Sequence, residues 1–91
     1  MRDSLPRSAA PNESLIDFLV NDLDLALTFT QLAETSSSVE TRERNYGNAR
    51  KAYDDVLRYR HNLRADVEQQ ATIDLKLAML RERLIAAGHE V

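Results

Sequence analysis

Between Asn12 and Glu34 the chain carries apolar residues around far more of a helical wheel than one buried face requires. At about 100° per residue, Leu15, Ile16, Phe18, Leu19, Val20, Leu23, Leu25, Ala26, Leu27, Phe29, Leu32 and Ala33 span roughly 240°. Asp17, Asn21, Asp24, Thr28 and Gln31 are left as a narrow polar strip. So wide an arc has to be covered on more than one side, by neighbouring helices or by a partner chain. The constraint is architectural and names no chemistry.

A chain of 91 residues makes one domain with a thin core, because folding at this size buries only about 60 to 65% of the surface an unfolded chain exposes. There is no Cys, hence no disulfide framework and no thiolate metal site; helix packing has to supply the stability. Residues 1–11 (MRDSLPRSAAP) contain no apolar run like a signal-peptide core, and no stretch approaches the ~20 apolar residues of a membrane span. We expect a cytoplasmic protein with no membrane association.

The net charge of −3 conceals an asymmetry. Glu13, Asp17, Asp22, Asp24 and Glu34 stand in the first helix with no basic residue, whereas residues 40–64 hold Arg42, Arg44, Arg50, Lys51, Arg58, Arg60 and Arg64 against four acids. An acidic helix beside a basic one helps choose topology, although each exposed pair adds little stability.

Residues 1–11 have two prolines, small residues and no periodicity, and are expected to form an irregular arm. The bundle then occupies 12–88, with helices over about 13–35, 38–62 and 65–87, and a tail at 89–91. Asn12 and Ser14 are suitable caps for the first helix, and Ser14 with Asp17 approximates a capping box. The Thr35–Ser38 cluster ends it, since short hydroxyl side chains compete for backbone hydrogen bonds. Ser37 or Ser38 starts the second, with Ser37 and Glu40 in S-x-x-E spacing. Its apolar residues Tyr46, Ala49, Tyr53, Val56 and Leu63 advance by helical steps, and Arg50 with Asp54 supports the outer face. Gly47 on that outer face has no evident purpose.

No Gly or Pro marks the next boundary. The stripe of the second helix centres about 110° from that of Ile73, Leu77, Leu80, Leu84 and Ala87, so a straight continuous helix would change its buried face abruptly. A break near 62–65 is expected, with Asn62 as a left-handed C-cap and Asp66 as an N-cap; one long bent helix is the alternative. Gly88 suits the end of the third helix. Short connections between three such helices predict an all-α, antiparallel up-down three-helix bundle.

Three segments, ALTFTQLAE (26–34), NYGNARKAYDDVLRY (45–59) and LKLAMLRERLIAAG (75–88), together resemble the microtubule-interacting and trafficking type domain. The second also resembles helix B of a tetratricopeptide repeat, with Ala49 and Tyr53 at its small and aromatic positions, although that repeat's tryptophan and glycine positions and its 34-residue period are missing. The resemblance implies a non-catalytic module that takes a partner's helix or peptide in a groove between helices. It assigns no binding residues here.

Chemistry is poorly supplied. His61 and His89 fall at a helix end and in the tail, no H-E-x-x-H pattern is present, and Gly47 and Gly88 form no phosphate loop. No local motif assembles nucleophile, base and orienting acid. We therefore expect no enzyme activity, catalytic residue, metal, cofactor or small-molecule substrate. Arg44, Arg50, Arg58 and Arg64 with Tyr59 give the alternative reading, nucleic-acid binding through the Arg-rich second helix, but acids are interleaved and the arginines do not share a face.

Leu15, Phe18, Leu25, Phe29 and Leu32, with Asp22 among them, form a second seam beside Ile16, Leu19, Leu23 and Leu27. One seam is expected to serve helix 2 and the other helix 3. Apolar helix 1 and its seam with helix 3, where helix 3 leaves these residues uncovered, are the candidate interface for a partner helix or a homodimer. Folding back about the serine loop brings Asp22 level with Arg50–Tyr53, so Tyr53 or Arg50 is the candidate register partner for its carboxylate.

Overall fold

The computed structural model describes residues 11–91, with side chains described from residue 15 onward. Helices α1 (Pro11–Thr35), α2 (Val39–Tyr59) and α3 (Val67–Ala86) form an all-α three-helix bundle with no strand among the described residues. The irregular arm expected over 1–11 lies outside the described residues except for Pro11, which is helical. Asn12 and Ser14, expected as caps, lie inside α1 instead. Proline's fixed φ suits a helix's first turn, so Pro11 does not stop the helix short of them.

The serine loop works one residue later than its spacing suggested. Ser38, not Ser37, is the N-cap of α2, and its hydroxyl accepts from the Thr41 amide at 3.3 Å. The Ser38 amide in turn donates to the Ser36 hydroxyl at 3.1 Å, which leaves the Ser37–Glu40 box unformed. Across the second connection the chain makes a short 3-10 turn, Arg60–Asn62, and α3 starts afresh. Asp66 caps it with a complete capping box: its carboxylate accepts from the Gln69 amide and the Gln69 side chain accepts from the Asp66 amide. Helices α2 and α3 are therefore separate. Asn62 is not left-handed, since no non-glycine residue among those described has positive φ; the 3-10 turn closes the helix in its place.

Gly88 ends α3 at φ +94°, with its amide on the Ile85 carbonyl and the His89 amide on the Leu84 carbonyl. These two bonds make a Schellman motif. The tail turns back from there, and Val91 packs against the core.

The core is built on a single stripe of α1: Ile16, Leu19, Leu23, Ala26, Thr30 and Ala33. Ala49, Ala52, Tyr53 and Val56 of α2 and Ile73, Leu77, Leu80 and Leu84 of α3 complete it. Small residues at 26, 49 and 52 let α1 and α2 approach closely, and that seam is the most extensive; α2 and α3 touch least. Thr30 is the one polar residue among the described residues that is fully buried. It is satisfied on both sides, donating to the Leu27 carbonyl at 2.7 Å and accepting from the Arg83 guanidinium at 3.0 Å.

Candidate functional site

Which flank of α1 each neighbour occupies follows from its polar contacts. Helix α3 reaches α1 through Lys76, paired with Asp24, and through Arg83, which donates to the Leu27 carbonyl at 3.3 Å as well as to Thr30. Helix α2 lies on the opposite flank, where Asp55 is the charged neighbour of Asp22. Asp24 and Leu27 stand roughly 120° to 180° around the wheel from the centre of the Leu15 to Leu32 seam. That seam consequently faces away from α3.

This reverses the expected division of labour. One stripe of α1 serves both neighbours, and the second seam runs along the outer α1–α2 edge, where α2 alone can cover it. Leu15 and Phe29 are half-buried and pack against the core from that side. Phe18, Leu25 and Leu32 are left 58%, 50% and 52% exposed. They lie seven residues apart on one helix, so they form a straight line about 21 Å long at 1.5 Å per residue.

Asp22 interrupts the line. Burial first, and then the carboxylate of Asp55, push its pKa above the ordinary carboxylate range. The expected register pair does not form. Tyr53 is buried on the other side of α2, where it lines the α2–α3 cleft with Leu57, Arg60, Asp74 and Leu77. Two residues apart on a helix is about 200°, so α2 cannot turn Tyr53 and Asp55 toward the same neighbour. Arg50 is held by Asp54 at 3.3 Å. Asp55 is the residue that sequence reasoning missed, and it lies one helical turn from Lys51, inside reach of the same antiparallel alignment.

The remaining clefts lie between α2 and α3. Arg60 and Asp74 bridge one at 3.3 Å. Val39, Arg42, Glu43, Tyr46, Ala87 and His89 line the other, with the His89 ring tilted against Tyr46 at 5.8 Å. Arg42 donates to the Ser36 carbonyl there. Of the arginines expected to mark a nucleic-acid surface, Arg50 is drawn to Asp54, and Arg58 to Asp55 at 3.4 Å while it also lies over the Tyr59 ring. Such interleaving weakens attraction for a phosphate backbone.

Among the described residues no group of His, Asp and Glu is clustered to hold a metal ion, and no helix is long and apolar enough to cross a membrane. Compared with known protein families, curated proteins and solved structures, the chain matches none.

Proposed function

We propose that the chain is a non-enzymatic helical interaction module that receives an amphipathic helix of a partner protein along the outer stripe of α1. The observation that supports this is the line Phe18, Leu25 and Leu32, each at least half exposed on the very helix whose other face is the core. Scattered exposed apolar residues need no explanation, but three in a line at heptad spacing match the seam a second helix would use. This replaces the α1–α3 seam as the place of docking.

Size decides how strong such docking is. The three side chains expose on the order of 300 Å² between them, typical of the largest apolar patch on a monomer. At about 25 cal/mol per Å² that is worth roughly 7 kcal/mol, against association costs of about 4 to 15 kcal/mol. Apolar contact by itself therefore gives a weak complex, and a specific one needs a further polar interaction.

The test is a titration of the labelled full-length protein with a synthetic amphipathic helical peptide bearing leucines at heptad spacing. Amide shift changes centred on residues 18, 25 and 32, removed in a Phe18→Ser, Leu25→Ser, Leu32→Ser variant that keeps its helical circular dichroism, are expected. Shifts that map to the α2–α3 clefts, or saturable binding to nucleic acid at those arginines, would refute the reading.

A further inference from the structure

The outer seam of α1, Leu15, Phe18, Asp22, Leu25, Phe29 and Leu32, advances by alternating three and four residues, so a helix laid along it would meet all six. Five are apolar and the sixth is an acid near the middle. The negative charge of Asp55, on α2, acts on that acid. Asp55 has its own cation in Arg58 at 3.4 Å, whose side chain is 65% exposed while that of Asp55 is 33% exposed. Helix α1 can offer none, because Pro11–Thr35 contains no basic residue. The cations of α3 that reach α1, Lys76 and Arg83, are engaged with Asp24, Leu27 and Thr30 on the far flank. Among the described residues, then, no cation pairs with Asp22.

A second copy of this chain would satisfy the apolar positions. In an antiparallel pair Leu15 would face Leu32, Phe18 would face Phe29 and Asp22 would face Leu25. The same symmetry would bring two Asp22 carboxylates to the axis, neither paired with a cation among the described residues, where like charges repel and water is excluded. A different helix with a cation at that level removes the repulsion and gains charge-assisted hydrogen bonds inside an apolar rim.

We propose that the occupant of the α1 stripe is a helix of another protein that carries large apolar residues at heptad spacing and, between them, a lysine or arginine seated at Asp22 and Asp55. This rests on the reading of the stripe as a docking surface and supplies the polar interaction that reading lacks. The surface selects its partner by that cation.

Two synthetic helical peptides that differ at one central position, Arg or Glu, test it against the full-length protein at neutral pH and low salt by fluorescence anisotropy. The Arg peptide should bind about tenfold more tightly than the Glu peptide, and the preference should fall below about twofold in Asp22→Asn and at high salt. Asp55→Asn, at a partly exposed position, serves as the second variant should Asp22→Asn perturb the helix, and it should also reduce the preference. Equal affinity for the two peptides, or a preference that survives both substitutions, overturns the proposal and leaves the docking surface standing. Binding of neither overturns both. A monomer–dimer equilibrium abolished by Leu25→Ser identifies a second copy as the occupant, and a preference seen only after Arg2 and Arg7 are replaced by Ala identifies the chain's own N-terminal segment; either refutes it.

Discussion

Leu23 and Leu25 stand two residues apart on α1, yet one has no exposed surface and the other is half in water. Truncating each to Ala separates the role of the core stripe from that of the outer seam. Leu23→Ala removes a fully packed side chain and leaves a void among Leu19, Ala26 and their neighbours, at a cost of about 3 to 5 kcal/mol. A domain of this size has only about 5 to 14 kcal/mol of stability in total, so the thermal midpoint should fall by roughly 12 °C or more. Leu25→Ala gives up only the buried half of its side chain, about 1 kcal/mol, and recovers a few tenths from the better helix propensity of Ala. Its midpoint should move by less than about 6 °C. Urea titration and thermal melts followed by circular dichroism, each at two protein concentrations, measure both. Were Leu25→Ala to cost as much as Leu23→Ala, the outer seam would be packed and not open. A midpoint that rose with concentration in the parent chain but not in Leu25→Ala would identify a second copy as what packs it.

Asp22→Asn addresses the acid in that seam. Because the folded chain holds the Asp22 proton to higher pH than the unfolded chain does, the stability linked to it is full below the unfolded pKa and is lost as pH rises through the folded value. Asp22→Asn should therefore melt higher than the parent at neutral pH, with the gap closing in acid; a gap unchanged between about pH 3 and pH 7 sinks the assignment. Gly47→Ala should stabilise by about 0.5 to 1 kcal/mol, since an added methyl group meets nothing within 4 Å and Gly is costly inside a helix. Gly88→Ala should destabilise by about 1 to 2 kcal/mol in the same urea titration, because φ there is +94°. Thr30→Val keeps shape but removes an acceptor from Arg83, and a loss of about 1 kcal/mol is expected; no loss would mean that the Leu27 carbonyl satisfies the guanidinium unaided.

The three helices were legible because each element agrees with the period of its own apolar residues. Phase mattered most at the α2–α3 connection: with no Gly or Pro between His61 and Asp66, only the change of buried face indicated two helices, and the structure breaks the chain there with a 3-10 turn and the Asp66 cap. Asp66 succeeded as a cap where Asn12 and Ser14 failed. Its side chain competes for amides at a place where the stripe also shifts, whereas positions 12 and 14 fall within the span of α1. Ser37 failed against Ser38 because three successive serines offer the same chemistry. The choice was made by Ser36, which holds the Ser38 amide, and no spacing rule encodes that.

A wheel tells which residues of a helix share a face, but not which neighbour that face meets. Leu15, Phe18, Leu25, Phe29 and Leu32 share one face of the wheel, and helix 3 was the neighbour expected to cover them, wholly or in part, because two apolar seams and two neighbours invite a one-to-one match. Packing in a triangle works differently. Each helix meets both others along one stripe about 100° wide, so Ile16, Leu19, Leu23 and Ala26 serve α2 and α3 at once. An additional seam is then surplus, and the polar contacts decide on which edge it emerges: Lys76 and Arg83 need Asp24, Leu27 and Thr30, which fixes α3 on their flank and leaves the seam beside α2. The same reasoning explains why Tyr53 was the wrong partner for Asp22. Antiparallel alignment put Asp22 level with residues 50–53, but two residues along α2 reverse the direction a side chain faces, and the charged neighbour of Asp22 is Asp55, just beyond that level. The width of the apolar arc corresponds to three large residues, Phe18, Leu25 and Leu32, that the fold leaves exposed. Where those residues emerge depends on cross-helix interactions, the contacts of Lys76 and Arg83 with α1 and the charge of Asp55 acting on Asp22, that no single-helix pattern contains.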